Sequence, residues 1–300
     1  MKNRVLFIVT ILILMLGLIC GRKFKPSEIQ FISNTMQETS ESSQAPTLEN
    51  IPLDPPHDID FSKAVPKNFG AYFEVEYPVT VSTYKIGKST EVENEVTLIA
   101  SPNKGACIYI VAGMHGDEEA AWRAGNLIKK ATIKSGSVYI ISPANPWGAS
   151  SAPLSRFVTG HLDLNRNFPG DVTGNMAKKA ALGIYSDIER VKPDFLLDLH
   201  EARILNKNRD FLGNSLIFTN LGERSDFFMQ IILETQQGAL CSGPFDFFSP
   251  GPAGSINKTV SETLSIPTIT VETFRGHDMS NRVADQLAIV QRVLKEYKII

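Results

Sequence analysis

From residue 77 onward the apolar positions follow two alternating rhythms. Residues 79–86 and 95–100 alternate in polarity or are rich in β-branched side chains, as strands are. Residues 107–112 (Cys-Ile-Tyr-Ile-Val-Ala) form a continuous apolar run, the pattern of a strand covered on both faces. A helical rhythm over 118–131 follows, then a strand over 138–142 and a helix over 175–191. Residues 194–199, entered through Pro193, predict another buried strand. The remainder predicts a strand at 216–219, a helix at 223–237, a strand at 268–272 and a closing amphipathic helix at 281–297. Strands alternating with helices imply a three-layer α/β/α domain with a mostly parallel, mixed central sheet.

The first 67 residues read differently. Lys2 and Arg4 precede an uncharged, largely apolar run over residues 5–20, which suits an export signal and falls short of the roughly 20 residues that span a bilayer comfortably. Ile19 and Leu18 stand where a cleavage site prefers small residues, so residues 1–21 read as a cleaved signal or a retained anchor. Both place the domain outside the cytosol. Residues 22–67 are polar and punctuated by Pro52, Pro55 and Pro56, and read as a linker, with a pro-segment as the alternative. Residues 68–300 are the expected globular domain.

Composition narrows the choices. The chain has 300 residues, 43% hydrophobic, and a formal net charge of −2, enough for a sizeable core and without an electrostatic case for nucleic acid. Of three cysteines, Cys20 lies in the apolar run. Cys107 and Cys241 are expected as separate thiols, with a single bridge as the alternative, so this is no disulfide scaffold. No cysteine pair has zinc-site spacing. A metal here must use histidine and carboxylate.

Such residues are present at predicted strand ends. His115 and Glu118 sit in Ala-Gly-Met-His-Gly-Asp-Glu-Glu, where Gly113 and Gly116 permit a tight turn from strand to helix. His200 ends Asp-Phe-Leu-Leu-Asp-Leu-His, and Glu272 ends Pro-Thr-Ile-Thr-Val-Glu. Two histidines and one glutamate make a catalytic zinc shell, because three protein ligands leave a position for water. Taken singly, each residue has a plainer reading: a capping Glu118, a hydrogen-bonded core His200, a strand-terminal Glu272. Their common place at the carboxyl ends of strands, where sites form in such sheets, argues for one site. Asp198, two residues before His200, points to the same side of the strand and also reads as structural.

The most specific string is Asp163-Leu-Asn165-Arg166-Asn-Phe-Pro-Gly170. Asn165 and Arg166 form a candidate carboxylate clamp, a directional amide beside a bidentate guanidinium. Asp163 is a candidate partner for the second N–H of a metal-bound histidine. Arg156 is a candidate oxyanion stabiliser, or else a loop-surface arginine.

These separated motifs, in this order, resemble the zinc carboxypeptidase superfamily, which includes carboxypeptidases A and B, bacterial murein-peptide amidases and the succinylglutamate desuccinylase/aspartoacylase branch. The resemblance spans roughly residues 77–294. It extends to Tyr84-Lys-Ile-Gly-Lys-Ser89 and to Pro143-Ala-Asn-Pro-Trp-Gly148, which is similar to the family's Pro-x-x-Asn-Pro-Asp-Gly loop with Trp147 replacing the Asp. His161-Leu162 replaces the usual Gly-Val before Asp163, and tyrosine is absent between Tyr185 and Tyr297, so the substrate-covering tyrosine of digestive carboxypeptidases is missing or replaced. The resemblance implies that His115, Glu118 and His200 bind one Zn2+, that Asp163 orients His115, and that Arg156 and zinc hold the oxyanion. It further implies that Asn165 and Arg166 hold a substrate carboxylate and that Glu272 is the general base. The short domain and the His-Gly-Asp-Glu form look closer to the amidase and deacylase branches.

The expected activity is hydrolysis of an amide beside a free carboxylate, by a metallocarboxypeptidase or peptide amidase, with cell-wall peptides suggested by the export signal. A deacylase of N-acyl amino acids is the first alternative, favoured by a further base in the pocket, for which Arg203, Lys207 and Arg209 are candidates. A non-catalytic carboxylate-binding module is the second, and Glu272 argues against it. The region 242–255, with Phe245, Phe247 and Phe248, is expected to line the specificity pocket, although phenylalanines more often simply pack.

Overall fold

A computed structural model describes residues 77–88, 90–203 and 212–300. The expected signal or anchor and the linker lie outside the described residues, as do Lys207 and Arg209. Among the described residues no helix is long and apolar enough to cross a membrane.

The chain enters through strand β1 (Thr80–Ile86), β2 (Asn94–Ala100) and β3 (Cys107–Ala112), then helix α1 (Glu119–Ile128) and β4 (Ser137–Ile141). A short α2 (Pro146–Ala149) and a 3-10 turn (Leu164–Arg166) precede α3 (Met176–Val191) and β5 (Phe195–Ala202). After β6 (Ser215–Phe218) come α4 (Ser225–Gln236), β7 (Asp246–Phe248), α5 (Ile256–Thr263), β8 (Thr268–Phe274) and α6 (Met279–Glu296).

The strands form one eight-stranded sheet in the order β1-β2-β4-β3-β5-β8-β6-β7. Its centre, β4-β3-β5-β8, is parallel, and β6-β7 is a further parallel pair. β1-β2, β2-β4 and β6-β8 are antiparallel. The expected mixed α/β/α architecture is the observed one.

Alternation along β3 shows why both faces must be covered. Ile108, Ile110 and Ala112 join one core with Ala120, Ala121 and Ala124 of α1 and Val283, Leu287 and Val290 of α6. Tyr109 and Val111 join the other core, with Ala177, Ala181 and Ile184 of α3 and Ile256 and Val260 of α5. Each large apolar side chain so buried contributes about 1.5–3 kcal/mol. The small face of α1, built of alanines, lets it lie against the sheet and against α6. Cys107 is half-buried, Cys241 is buried, and both are free thiols.

Most expected elements stand within a few residues of their predicted bounds. Besides the 3-10 turn, two helices and one strand were not expected. α2 is a single turn, capped by the Asn145 side chain accepting the Gly148 N–H. α5 starts at Ser255, whose side chain accepts the Lys258 N–H, and is held by the buried Ile256 and Val260. β7 has three residues and exists through pairing with β6.

Candidate metal centre and its cavity

The carboxyl ends of β3, β5 and β8 bring the site together. Gly113 leaves β3 with φ of +73°, and a Cβ there would meet Trp122 Cβ at 2.7 Å. This turn sends His115 and Glu118 back over the sheet. Glu118 lies at the N-cap of α1, not inside the helix as expected, so its carboxylate can reach away from the helix axis. His200 and Glu272 are directly paired in the register of β5 and β8.

His115, Glu118 and His200 are 3%, 2% and 1% exposed, and their donor atoms lie within 4.8 Å of one another. Nδ1 of His115 is 2.7 Å from Oε1 of Glu118, and Nδ1 of His200 is 2.6 Å from Oε2. The two Nδ1 atoms face each other at 3.1 Å. Nitrogen donors on a tetrahedral zinc with bonds of 2.0–2.1 Å stand about 3.3 Å apart. Each outer nitrogen faces a carboxylate. Nε2 of His115 is 3.0 Å from Oδ1 of Asp163, and Nε2 of His200 is 3.0 Å from Oδ1 of Asp198. Carboxylates in these places would hold the ring protons outward and leave the Nδ1 lone pairs for an ion. The donor set therefore fits zinc.

The charges around the three donors are mutually dependent. Burial works against the charge of Glu118, yet His115 and His200 hold its carboxyl well below the usual range. Burial likewise opposes the charge of His200, and Asp198 and Glu118 outweigh it, raising its pKa. Burial also disfavours an ionised Asp163, but His115 and Arg156 keep it below the ordinary carboxylate range. Glu272, 7% exposed, lacks such partners. Burial pushes it up to about 8, with Glu118 and Asp198 adding to the effect against His200 and Arg156.

All the expected site residues except Asp163 line one cavity of about 250 Å3: His115, Glu118, Arg156, Asn165, Arg166, His200 and Glu272. Asp163 stands behind His115 and Arg156. Arg156 donates to Oδ2 of Asp163 through Nη2 at 3.0 Å and Nε at 3.2 Å, and its Nη1 lies 3.5 Å from Oε1 of Glu118. Arg156 is thus held over the cation site. Asn165 is anchored by its Oδ1, which accepts the Ile256 N–H at 2.9 Å, while its Nδ2 lies 3.1 Å from Nε2 of His200. Nη1 of Arg166 donates to the Asn165 carbonyl at 2.7 Å.

The remaining wall differs from expectation. Of region 242–255, only Pro252 and Ser255 line the cavity. Phe245 is buried in the core, and Phe247 packs on Phe218 and Phe228, because β7 draws this segment into the sheet edge. The apolar wall comes instead from Leu212 and Ile217. Arg203 also lines the cavity, its Nη2 held by Oδ2 of Asp117 at 2.5 Å. Glu201 and Thr270 line it too and were not singled out from the sequence; the period of two from Asp198 through His200 along β5 was the available signal for Asp198. A larger hollow of about 350 Å3 beside Tyr84, Tyr139 and Arg190 lies away from these donors. Its carboxylate, Asp187, is already taken by Tyr84, Tyr109 and Arg190.

A sequence profile of the succinylglutamate desuccinylase/aspartoacylase catalytic domain matches residues 104–297. The chain belongs to this family. Among curated proteins no sequence matches it. A succinylglutamate desuccinylase/aspartoacylase from Rhodobacter sphaeroides shares the fold at 19% identity and a TM-score of 0.55, with 76% of this chain and 68% of that one covered. The product-bound ectoine utilization protein EutE (DoeB) from Ruegeria pomeroyi is similar at 18% identity and a TM-score of 0.54, covering 75% of this chain and 72% of that one. The tripeptide-bound cell shape determinant Csd4 from Helicobacter pylori is similar at 16% identity and a TM-score of 0.56; 74% of this chain and 56% of that one are covered. These folds are those of the zinc carboxypeptidase-like hydrolases, the superfamily expected from the motifs.

Proposed function

We propose that this desuccinylase/aspartoacylase family member is a zinc-dependent deacylase of small N-acyl amino acids. The observation that carries the reading is the placement of two guanidinium groups, Arg166 and Arg203, in the same small cavity as His115, Glu118, His200 and Glu272. Arg156 is a third cation on this cavity, paired with Asp163, and Arg203 shares its charge with Asp117; the set around about 250 Å3 favours a compact anionic substrate over a peptide chain. The family match supports the deacylase alternative over the peptidase reading that the export signal favoured.

His115, Glu118 and His200 would hold the ion. When bound, zinc polarises a carbonyl and acidifies a water molecule. Glu272, which lines the same cavity at the end of β8, is the proton carrier: its carboxylate would take a proton and return it to the leaving amine. Arg156, fixed by Asp163, faces the position where negative charge grows on the amide oxygen. Nε2 of His200 lies 3.1 Å from Nδ2 of Asn165 and 3.0 Å from Oδ1 of Asp198, and a ring proton directed at Asp198 would leave it no lone pair for Asn165. In that tautomer the N–H of Asn165 would meet a substrate carboxylate together with Arg166.

The apolar run over residues 5–20 supports an extracytoplasmic location as part of this proposal. The test is turnover by the zinc-loaded chain of N-acetyl and N-succinyl derivatives of acidic and neutral amino acids, beside di- and tripeptides. Release of the amino acid from acidic N-acyl substrates is expected. Cleavage of peptides alone would reverse the choice of substrate, and no turnover with zinc bound would support a binding module.

A further inference from the structure

Glu118 occupies the N-cap position of α1 yet makes no side-chain bond to that helix. An N-cap side chain ordinarily accepts an N–H of the first turn, but both Glu118 oxygens face histidine nitrogens. Another element fills the role. Oε2 of Glu201, on β5, accepts the Ala120 N–H at 2.9 Å. Oε1 of the same carboxylate accepts Nη1 of Arg282, from α6, at 2.6 Å. The Glu201 backbone N–H donates to Oε2 of Glu118 at 3.1 Å. One turn further along α6, Nε2 of Gln286 donates to the His200 carbonyl at 2.6 Å.

The Arg282 and Glu201 side chains are 7% and 0% exposed. Burying such a pair is weak ground for stability, since apolar residues of like volume often serve as well. Its position is the informative part. It sits one residue from His200 and against the helix end that carries Glu118. A carboxylate there also complements the positive end of the α1 dipole.

We propose that Glu201, braced by Arg282, is a positioning residue for the cation site: it caps α1 from β5, leaves the Glu118 carboxylate free for the ion, and fixes Glu118 relative to His200. The proposal rests on the reading of His115, Glu118 and His200 as a cation site. Glu201 acts through Ala120 and Glu118 and does not itself face the ion.

The test measures zinc affinity of the full chain by chelator competition, the visible absorption of the cobalt-substituted protein, and the melting temperature without metal. E201Q/R282M and E201M/R282M both remove the buried charges together and keep the volume. Only the glutamine retains an oxygen for the Ala120 N–H. We expect E201M/R282M to bind zinc roughly ten- to a hundredfold more weakly, the range for residues that orient ligands, with a shifted cobalt band. E201Q/R282M should bind within a few-fold of the parent and keep the band. Single E201Q, whose one oxygen must serve both Ala120 and Arg282, should bind more weakly than E201Q/R282M. Leu287→Ala, a core position of α6, should lower the melting temperature and leave affinity and spectrum alone.

Equal zinc affinity in the two double variants, at whatever level, would overturn the proposal. A parent chain that binds no zinc would instead overturn the cation site itself, before any variant is compared.

Discussion

Asp198 sets its Oδ1 3.0 Å from Nε2 of His200, two residues along the same strand, while the other ring nitrogen faces His115 at 3.1 Å. Asp198 is wholly buried, and beyond this ion-pair distance its Oδ1 makes no hydrogen bond among the described residues. Its Oδ2 accepts the Thr270 hydroxyl at 3.1 Å. A carboxylate at that distance favours the tautomer with the proton on Nε2. Asp198→Asn should therefore weaken zinc binding roughly ten- to a hundredfold without altering any donor that faces the ion. Chelator competition measures this, and an unchanged affinity would remove Asp198 from the site.

Glu272→Gln should bind zinc as the parent does and lose turnover by about 10²–10⁴, the contribution of a placed general acid–base. Single-turnover hydrolysis of the best N-acyl substrate gives the number. Parental turnover in this variant would assign the proton to another group.

The raised carboxyl of Glu272 also makes a prediction about the metal-free protein. Its folded pKa is about 8 against an ordinary carboxyl value of 4.5. Between these values the folded state holds a proton that the unfolded state has lost, so stability falls as pH rises. Glu272→Gln removes that loss. Its melting temperature relative to the parent should be least favourable near pH 4.5 and climb toward pH 8, then level off. A difference that stays constant across this range would show that Glu272 ionises normally.

Arg166 faces the cavity with Asn165 anchored beside it. Arg166→Ala should raise the Michaelis constant of N-acyl amino acids by about tenfold or more, a loss of roughly 1.5–3 kcal/mol for a hydrogen bond to a charged group. The corresponding amino acid amides should be little affected. Equal effects on acids and amides would place the carboxylate elsewhere.

Gly116 packs where a Cβ would come within 2.2 Å of the Gly148 carbonyl carbon and the Ala149 nitrogen. Backbone cannot swing away as a flexible side chain can. Gly116→Ala should destabilise the domain by about 3 kcal/mol, the upper part of the overpacking range, and displace His115. Denaturant unfolding checks the first effect and zinc affinity the second.

The strands and long helices were legible because their periods differ and their runs are long. β3 and β5 read as buried on both faces, and the two cores that divide Ile108 from Tyr109 show why. The short elements were not legible. α5 follows a stretch rich in proline and glycine and contains β-branched Thr259 and Val260, so its helix depends on the Ser255 cap and on burial. β7 depends on its partner strand. Phe247 was expected at the pocket because exposure of a phenylalanine cannot be read from its neighbours in sequence.

The sequence by itself determined the chemistry available: two histidines and a glutamate at strand ends, an Asn-Arg pair, and a second glutamate ending a buried strand. Those are properties of residue type and local rhythm. The tertiary structure alone decided which of them meet. It brought Arg203 into the cavity that holds Arg166, and it set Glu201 under α1 with Arg282 from the far end of the chain. Contacts between residues 81 positions apart arise from the order of strands in the sheet and the layer each helix joins. No local pattern encodes them, because the free energy that selects that order is the burial of both faces of the whole sheet.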